Sequence, residues 1–298
     1  ELLRGLGMAA TWLSLAYCDA KVKNWGLMAL YANSPGSRMR SVRGLVAALT
    51  GIAIALWAPL VFGKTGTTGA AEATAPAPSA IVIGFLGGYV GRDNAHHAEV
   101  QLAQSLREKY PTSVDIETYG NHDYEDAHRA ILRLLDANHD GHLSDEEKRH
   151  ARIVLYGHSW GGAATVLLAR ELDQDGIPVA LTVQIDSVSK MYKNDSMIPA
   201  NVQNAVNYYQ PHGIVSGLQE ITAADPARTH IIGNFRYDYS NHPLHCEGYP
   251  WWDNVVFRAH TEIECDPRVW SQVETLIESY LPPTKHSGAQ PTADSAAK

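Results

Sequence analysis

The sequence predicts an α/β fold, a mostly parallel sheet with helices on both faces, and three observations carry that expectation. Short apolar runs rich in β-branched residues, such as Ala80 to Phe85 and Pro178 to Ile185, are bounded by turn residues and read as buried strands. Amphipathic helical stretches separate them, and strands alternating with helices of this length imply a parallel sheet covered on both sides. Gly157-His158-Ser159-Trp160-Gly161-Gly162 joins one apolar run to a helix-forming run, which sets a serine on a strand-to-helix turn.

In chain order, Ala80 to Phe85 is the first strand and Leu86-Gly87-Gly88 ends it. Ala95, Ala98, Leu102, Leu106 and Tyr110 then share one helical face until Pro111 stops the helix. Val114 to Tyr119 alternates as a second strand, and Ala127, Ile131, Leu134 and Leu135 mark a second amphipathic helix. The run Ile153-Val154-Leu155-Tyr156 is the strand that delivers Ser159, and the helix after it extends to about Leu172. Pro178 to Ile185 predicts a fourth strand ending at Asp186, with Val206 to Tyr209 and His230 to Phe235 as further strands. A final helix has Asp266 as N-cap and Pro267 as its first residue, with Val269, Trp270, Val273, Leu276, Ile277 and Tyr280 on its apolar face.

The chain has 298 residues, 45% of them hydrophobic, enough for a substantial core. Its 32 acidic and 24 basic residues give a formal charge of -8, and the basic runs at Arg38 to Arg43 and Lys148 to Arg152 are short, so nucleic-acid binding is not expected. Met39-Arg40-Ser41-Val42-Arg43 precedes an apolar stretch from Gly44 to Phe62, the order of a signal peptide. Residues 1–38 therefore read as an upstream lead and 39–63 as a signal peptide, with a retained membrane anchor as the alternative that the apolar length also allows. Residues 64–79, rich in Gly, Thr, Ala and Pro, read as a flexible linker, 80–282 as the folded domain and 283–298 as a disordered tail. Export to the periplasm or the medium follows, with membrane contact only through the anchor. In that setting Cys246 and Cys265 are free to form a disulfide, worth roughly 3 kcal/mol on a chain-entropy model; two separate buried thiols are the alternative.

A serine hydroxyl is a weak nucleophile at neutral pH, so the turn at Ser159 calls for a histidine to take its proton and a carboxylate to orient that histidine. Asp186, at the end of the strand after the serine-bearing helix, is the expected acid, with Glu220, Asp225 and Asp238 as rivals. His260, placed in a loop just ahead of the last helix, is the expected base, with His242 and His245 as rivals. Backbone amides must face the oxyanion of a tetrahedral intermediate; Trp160 and the Leu86-Gly87 turn are the expected donors. Tyr249-Pro250-Trp251-Trp252 and the tyrosines 208, 209, 237 and 239 are candidates either for a substrate pocket or for ordinary packing.

From Gly157-His158-Ser159-Trp160-Gly161-Gly162 outward, over roughly residues 80 to 282, the chain resembles the α/β-hydrolase superfamily, and in particular its secreted lipase- and esterase-like members. The resemblance implies a serine carboxylic-ester hydrolase working through an acyl-enzyme, with Ser159, Asp186 and His260 at the matching positions. It implies a small-molecule or lipid ester as substrate and no organic cofactor. Two departures stand out: the acid comes one strand early, and no His-Gly pair precedes the oxyanion turn. Thioesterases and amidases share the elbow, and a non-catalytic binding protein that keeps the scaffold is a further alternative.

A second motif lies inside this region. Asp136-Ala137-Asn138-His139-Asp140-Gly141-His142-Leu143-Ser144-Asp145-Glu146-Glu147 matches an EF-hand loop, with oxygens from Asp136, Asn138, Asp140 and Ser144, the backbone carbonyl of His142, and Glu147 in the bidentate place. Gly141 makes the turn and Leu143 packs inward. The expected role is a structural calcium ion that offsets repulsion among the acidic side chains.

Overall fold

The computed structural model describes residues 77–150, 152–190 and 193–283. The expected lead, the signal peptide or anchor, the linker up to residue 76 and the tail from residue 284 lie outside the described residues.

The apolar runs form strands β1 (Ala80–Leu86), β2 (Val114–Gly120), β3 (Arg152–His158), β4 (Val179–Ile185), β6 (Val202–Tyr209) and β8 (His230–Arg236). They make one six-stranded sheet in the order β2-β1-β3-β4-β6-β8, and every neighbouring pair is parallel. Two short strands that sequence pattern does not reveal, β5 (Met197–Ile198) and β7 (Thr222–Ala223), pair in a separate two-stranded sheet. The helices are α1 (Ala98–Lys109), α2 (Tyr124–Leu135), α3 (Asp145–His150), α4 (Trp160–Gln174), α5 (Trp251–Val255), α6 (Arg258–Cys265) and α7 (Pro267–Glu278).

Strand alternation sorts the core onto two faces. Val82, Val154, Tyr156, Leu181 and Val183 pack with Leu102 and Leu106 of α1 and with Val269, Val273 and Ile277 of α7. Ile81, Ile83, Phe85, Ile153 and Leu155 turn the other way, onto Ala127 and Ile131 of α2 and Val166 and Leu168 of α4. Every residue of β1 and β4 is buried, as an interior parallel strand requires. Gly84 in β1 makes room for the Tyr156 ring, because a Cβ there would stand 2.4 Å from it. At the start of α7 the Asp266 carboxylate accepts from the Arg268 amide at 2.9 Å, and Pro267 occupies the first turn, the cap that sequence predicts.

His260 sits within helix α6 rather than in a loop before the last helix. The pattern hid this helix because three of its four buried positions are polar, Thr261, Glu262 and Glu264, so it carries no apolar stripe. Cys246 and Cys265 are joined in a disulfide that fixes the C-terminus of α6 to the segment before α5. Among the described residues no helix is long and apolar enough to cross a membrane.

Replacing Cys246 with serine is expected to lower unfolding free energy by about 2–4 kcal/mol, read from the denaturant midpoint of the full chain. An unchanged midpoint would mean that the bridge constrains nothing the remaining contacts do not already hold.

Candidate active site

β3 ends at His158 and α4 begins at Trp160, so Ser159 alone makes the turn between them, with φ 58° and ψ -127°. Such a backbone is costly for a residue with a side chain, by about 1–3 kcal/mol, and persists only where its surroundings dictate it. Four backbone hydrogen bonds do so: Ser159 N donates to Ile185 O at 3.0 Å, while Ser159 O accepts from Gly162 N at 3.0 Å, from Val188 N at 3.1 Å and from Ala163 N at 3.4 Å. Glycine is required beside it. A Cβ on Gly161 would lie 2.0 Å from the Phe85 carbonyl oxygen, and one on Gly157 would lie 2.5 Å from the Gly161 backbone.

Asp186 directly follows β4 and also holds a left-handed backbone, φ 42°. Its carboxylate is fully buried and surrounded by donors. Oδ1 accepts from the amides of Gln210 at 3.1 Å and Gly217 at 2.9 Å; Oδ2 accepts from Gln210 Nε2 at 2.9 Å and contacts His260 Nδ1 at 2.6 Å. The other face of the imidazole meets the serine, with His260 Nε2 at 2.9 Å from Ser159 Oγ. A carboxylate accepts only, so Nδ1 carries the proton and Nε2 offers its lone pair to the serine hydroxyl. Ser159, His260 and Asp186 thus stand in one hydrogen-bonded line.

None of the rival acids and bases lines the cleft over Ser159. Asp238 pairs with Arg236 and with His212, and Asp225 accepts from the Ala227 amide in a surface turn. Neither Gln210 nor Gly217 has a signal in the sequence, since both reach Asp186 from loops distant along the chain. Gly217 is nonetheless obligatory, because a Cβ there would stand 2.3 Å from the Asp186 backbone.

Of the expected oxyanion residues, Gly87 lies directly against the serine, with its own Cβ position 2.8 Å from that of Ser159. Trp160 follows Ser159 as the first residue of α4. Leu86 is fully buried within β1 and is not part of the cleft wall. The cleft above the three residues has a volume of about 400 Å³, with apolar walls from Tyr89, Val90, Val215, Tyr249, Trp252 and Phe257. Part of the aromatic cluster therefore faces the cleft, whereas Tyr208 and Tyr239 are core residues.

Behind His260 lies a buried polar group that sequence reading missed. The His158 ring packs against that of His260 with centroids 4.5 Å apart, and burial pushes His158 down to about 4, so it is neutral at ordinary pH. Its Nδ1 is 3.4 Å from Glu264 Oε2, and Glu264 Oε1 contacts His97 Nδ1. Burial alone would raise Glu264, but the surrounding histidines outweigh it and draw it down. Glu99 is 0% exposed. Burial, then the charge of Glu264, push Glu99 up to about 8. Glu99 and Glu264 fall on buried faces of α1 and α6, and an acidic residue at a core position is the signal that could have found them.

The loop from Asp136 to Glu147 lies apart from this site, between α2 and α3. His139 and Gly141 take left-handed backbone, and side-chain oxygens of Asp136, Asn138 and Asp140 accept from loop amides at 2.8–3.2 Å. Glu147 Oε2 accepts from the amide and hydroxyl of Ser144, capping α3. Leu143 packs against the core, as the motif expects. The donor set is all oxygen and fits a hard cation such as calcium.

No family model matches the chain, and no curated protein matches it. Solved structures that resemble it include an arylesterase (12% identity, TM-score 0.39, covering 70% of this chain and 78% of that one). Others are a cutinase-like protein from Cryptococcus sp. (14%, 0.38, 71% and 100%) and a thioesterase of the prodiginine biosynthetic pathway in Streptomyces coelicolor (11%, 0.37, 71% and 96%). Likeness at this level carries no weight for activity.

Gly161→Ala is expected to cost about 3 kcal/mol or more, because backbone rather than a mobile side chain must give way. That corresponds to a drop of roughly 6–12 °C in Tm by calorimetry. Gly91→Ala is the control, since its Cβ would meet only Asp93 Oδ1 at 3.5 Å, and its Tm should not move.

Proposed function

We propose that the chain is a serine hydrolase that cleaves carboxylic esters through an acyl-enzyme, with Ser159 as nucleophile, His260 as general base and acid, and Asp186 as the residue that orients the base. One observation carries this reading: the line from Ser159 Oγ to His260 Nε2 at 2.9 Å and from His260 Nδ1 to Asp186 Oδ2 at 2.6 Å. As Oγ attacks the ester carbonyl, its proton passes to Nε2, and the imidazolium is stabilised by the buried carboxylate. The tetrahedral oxyanion would be met by the amides of Gly87 and Trp160. Collapse breaks the bond to the alcohol oxygen, which leaves with the proton from Nε2. Water then enters, gives a proton to Nε2 and attacks the acyl-serine, and the acid departs as Oγ regains that proton. The apolar cleft walls suit a small-molecule or lipid acyl group.

We further propose that Asp136, Asn138, Asp140, the His142 carbonyl, Ser144 and Glu147 hold a structural calcium ion. The loop's oxygen donors and the turn at Gly141 support this, and Glu147 would release Ser144 to join them. The disulfide and the signal-like segment support an exported protein in which calcium is abundant.

The test is the full chain assayed in calcium against p-nitrophenyl esters of graded acyl length. Ser159→Ala and His260→Ala should each lower kcat by about 10^4 to 10^6 and abolish labelling by a fluorophosphonate. Asp186→Asn, which keeps the shape but favours the wrong tautomer, should lower kcat by about 10^4. Wild-type protein that neither turns over esters nor takes the label would overturn the reading. For calcium, chelation should lower Tm while initial rates at room temperature fall little; an unmoved Tm would remove the ion from the account.

A further inference from the structure

The Glu99 carboxylate is the least explained group in the molecule. It is fully buried, and neither oxygen has a hydrogen-bond partner of ordinary distance and angle; the nearby amides of Glu99 and Gly87 favour its charged form, and burial outweighs them. Such a group is expensive to bury without a partner. One Glu99 oxygen, one from Glu264 and a ring nitrogen of His97 all lie within 4.8 Å of one another. Among the described residues no other set of three histidine, cysteine or acidic donors converges so closely. Two buried carboxylates here share one imidazole.

We propose that His97, Glu99 and Glu264 bind a divalent first-row transition ion, zinc by the chemistry of the donors, on the wall of the active-site cleft. One imidazole nitrogen and two carboxylate oxygens make a borderline donor set, unlike the all-oxygen loop at residues 136–147, and three protein ligands leave a fourth position for water. The ion would replace the present contact between His97 Nδ1 and Glu264 Oε1. Access exists on two sides, since Glu264 and Tyr249 line both the cleft and a neighbouring groove of about 500 Å³. His97 caps α1 and Glu99 lies in its first turn, while Glu264 stands one turn after His260 on α6. The ion therefore ties the start of α1 to the helix that carries the base, and its role is positioning.

The competing way to neutralise the group is a proton on Glu99, and the experiment separates the two. Full-length protein, kept saturated with calcium, is dialysed with and without zinc and analysed for bound metal and Tm. About one zinc per chain and a Tm raised by zinc are expected, and cobalt in its place should give the visible absorption of a histidine-bound ion. Glu99→Gln, which matches a protonated glutamate in shape, should lose zinc, cobalt colour and the zinc-dependent rise in Tm while keeping the response to calcium; His97→Ala should do the same. No zinc on the wild type would overturn the proposal. So would a Glu99→Gln protein that retains zinc, or one more stable than a wild type indifferent to zinc. None of these readouts uses turnover, so their failure would leave the hydrolase reading standing.

Discussion

The site depends on how closely three pieces of backbone approach one another. β1 and β3 are paired so that Phe85 lies opposite Gly157, and α4 starts directly above that pair. The Phe85 carbonyl, Gly157 and Gly161 leave no space for side chains. Only glycine at both places lets the chain turn within one residue, and the turn presents the Ser159 hydroxyl at the sheet's carboxyl edge. Because β4 lies on the other side of β3, the same edge delivers Asp186, and the Ser159 amide bonds to Ile185 just before it. Ser159 and Asp186 are thus placed by strand order and register, which apolar burial on both faces locks.

What was legible in the sequence follows from which interactions are local. The strands show because a parallel strand buried on both faces must be apolar throughout, and the elbow shows because its glycines flank the serine directly. β6 begins at Val202, earlier than expected, because Gln203 and Asn204 break the apolar run although the strand continues through them. β5 and β7 are two residues each, too short for any period to register. Gln210 and Gly217 hold Asp186 through contacts 24 and 31 residues away in sequence, and nothing in their own neighbourhoods announces that.

α6 is the instructive failure. Three of its four buried positions carry Thr261, Glu262 and Glu264, so a search for an apolar stripe finds no helix around His260. Ile263 joins the apolar core, and polar contacts hold the rest of the helix. Glu262 Oε1 accepts from the Leu244 amide at 3.0 Å and from Arg258 Nε at 3.0 Å, Glu264 engages His97 and approaches His158, and the disulfide closes the end.

Apolar packing and polar contact do different work here. Hydrophobic burial scales with area and has little preference for rotation about a helix axis, whereas buried hydrogen bonds are directional and strengthen in a low dielectric. His260 must meet a carboxylate on one ring edge and a hydroxyl on the other, and a small roll of α6 would break one of those contacts. Helices α1 and α7 cover the sheet mainly with apolar side chains, a task that tolerates adjustment. α6 carries His260, and its buried carboxylates favour the rotation that the contacts of His260 require. Placing such groups under the cleft costs desolvation that apolar residues would avoid, and that cost falls on the helix whose angular setting determines whether Ser159 meets the His260 ring.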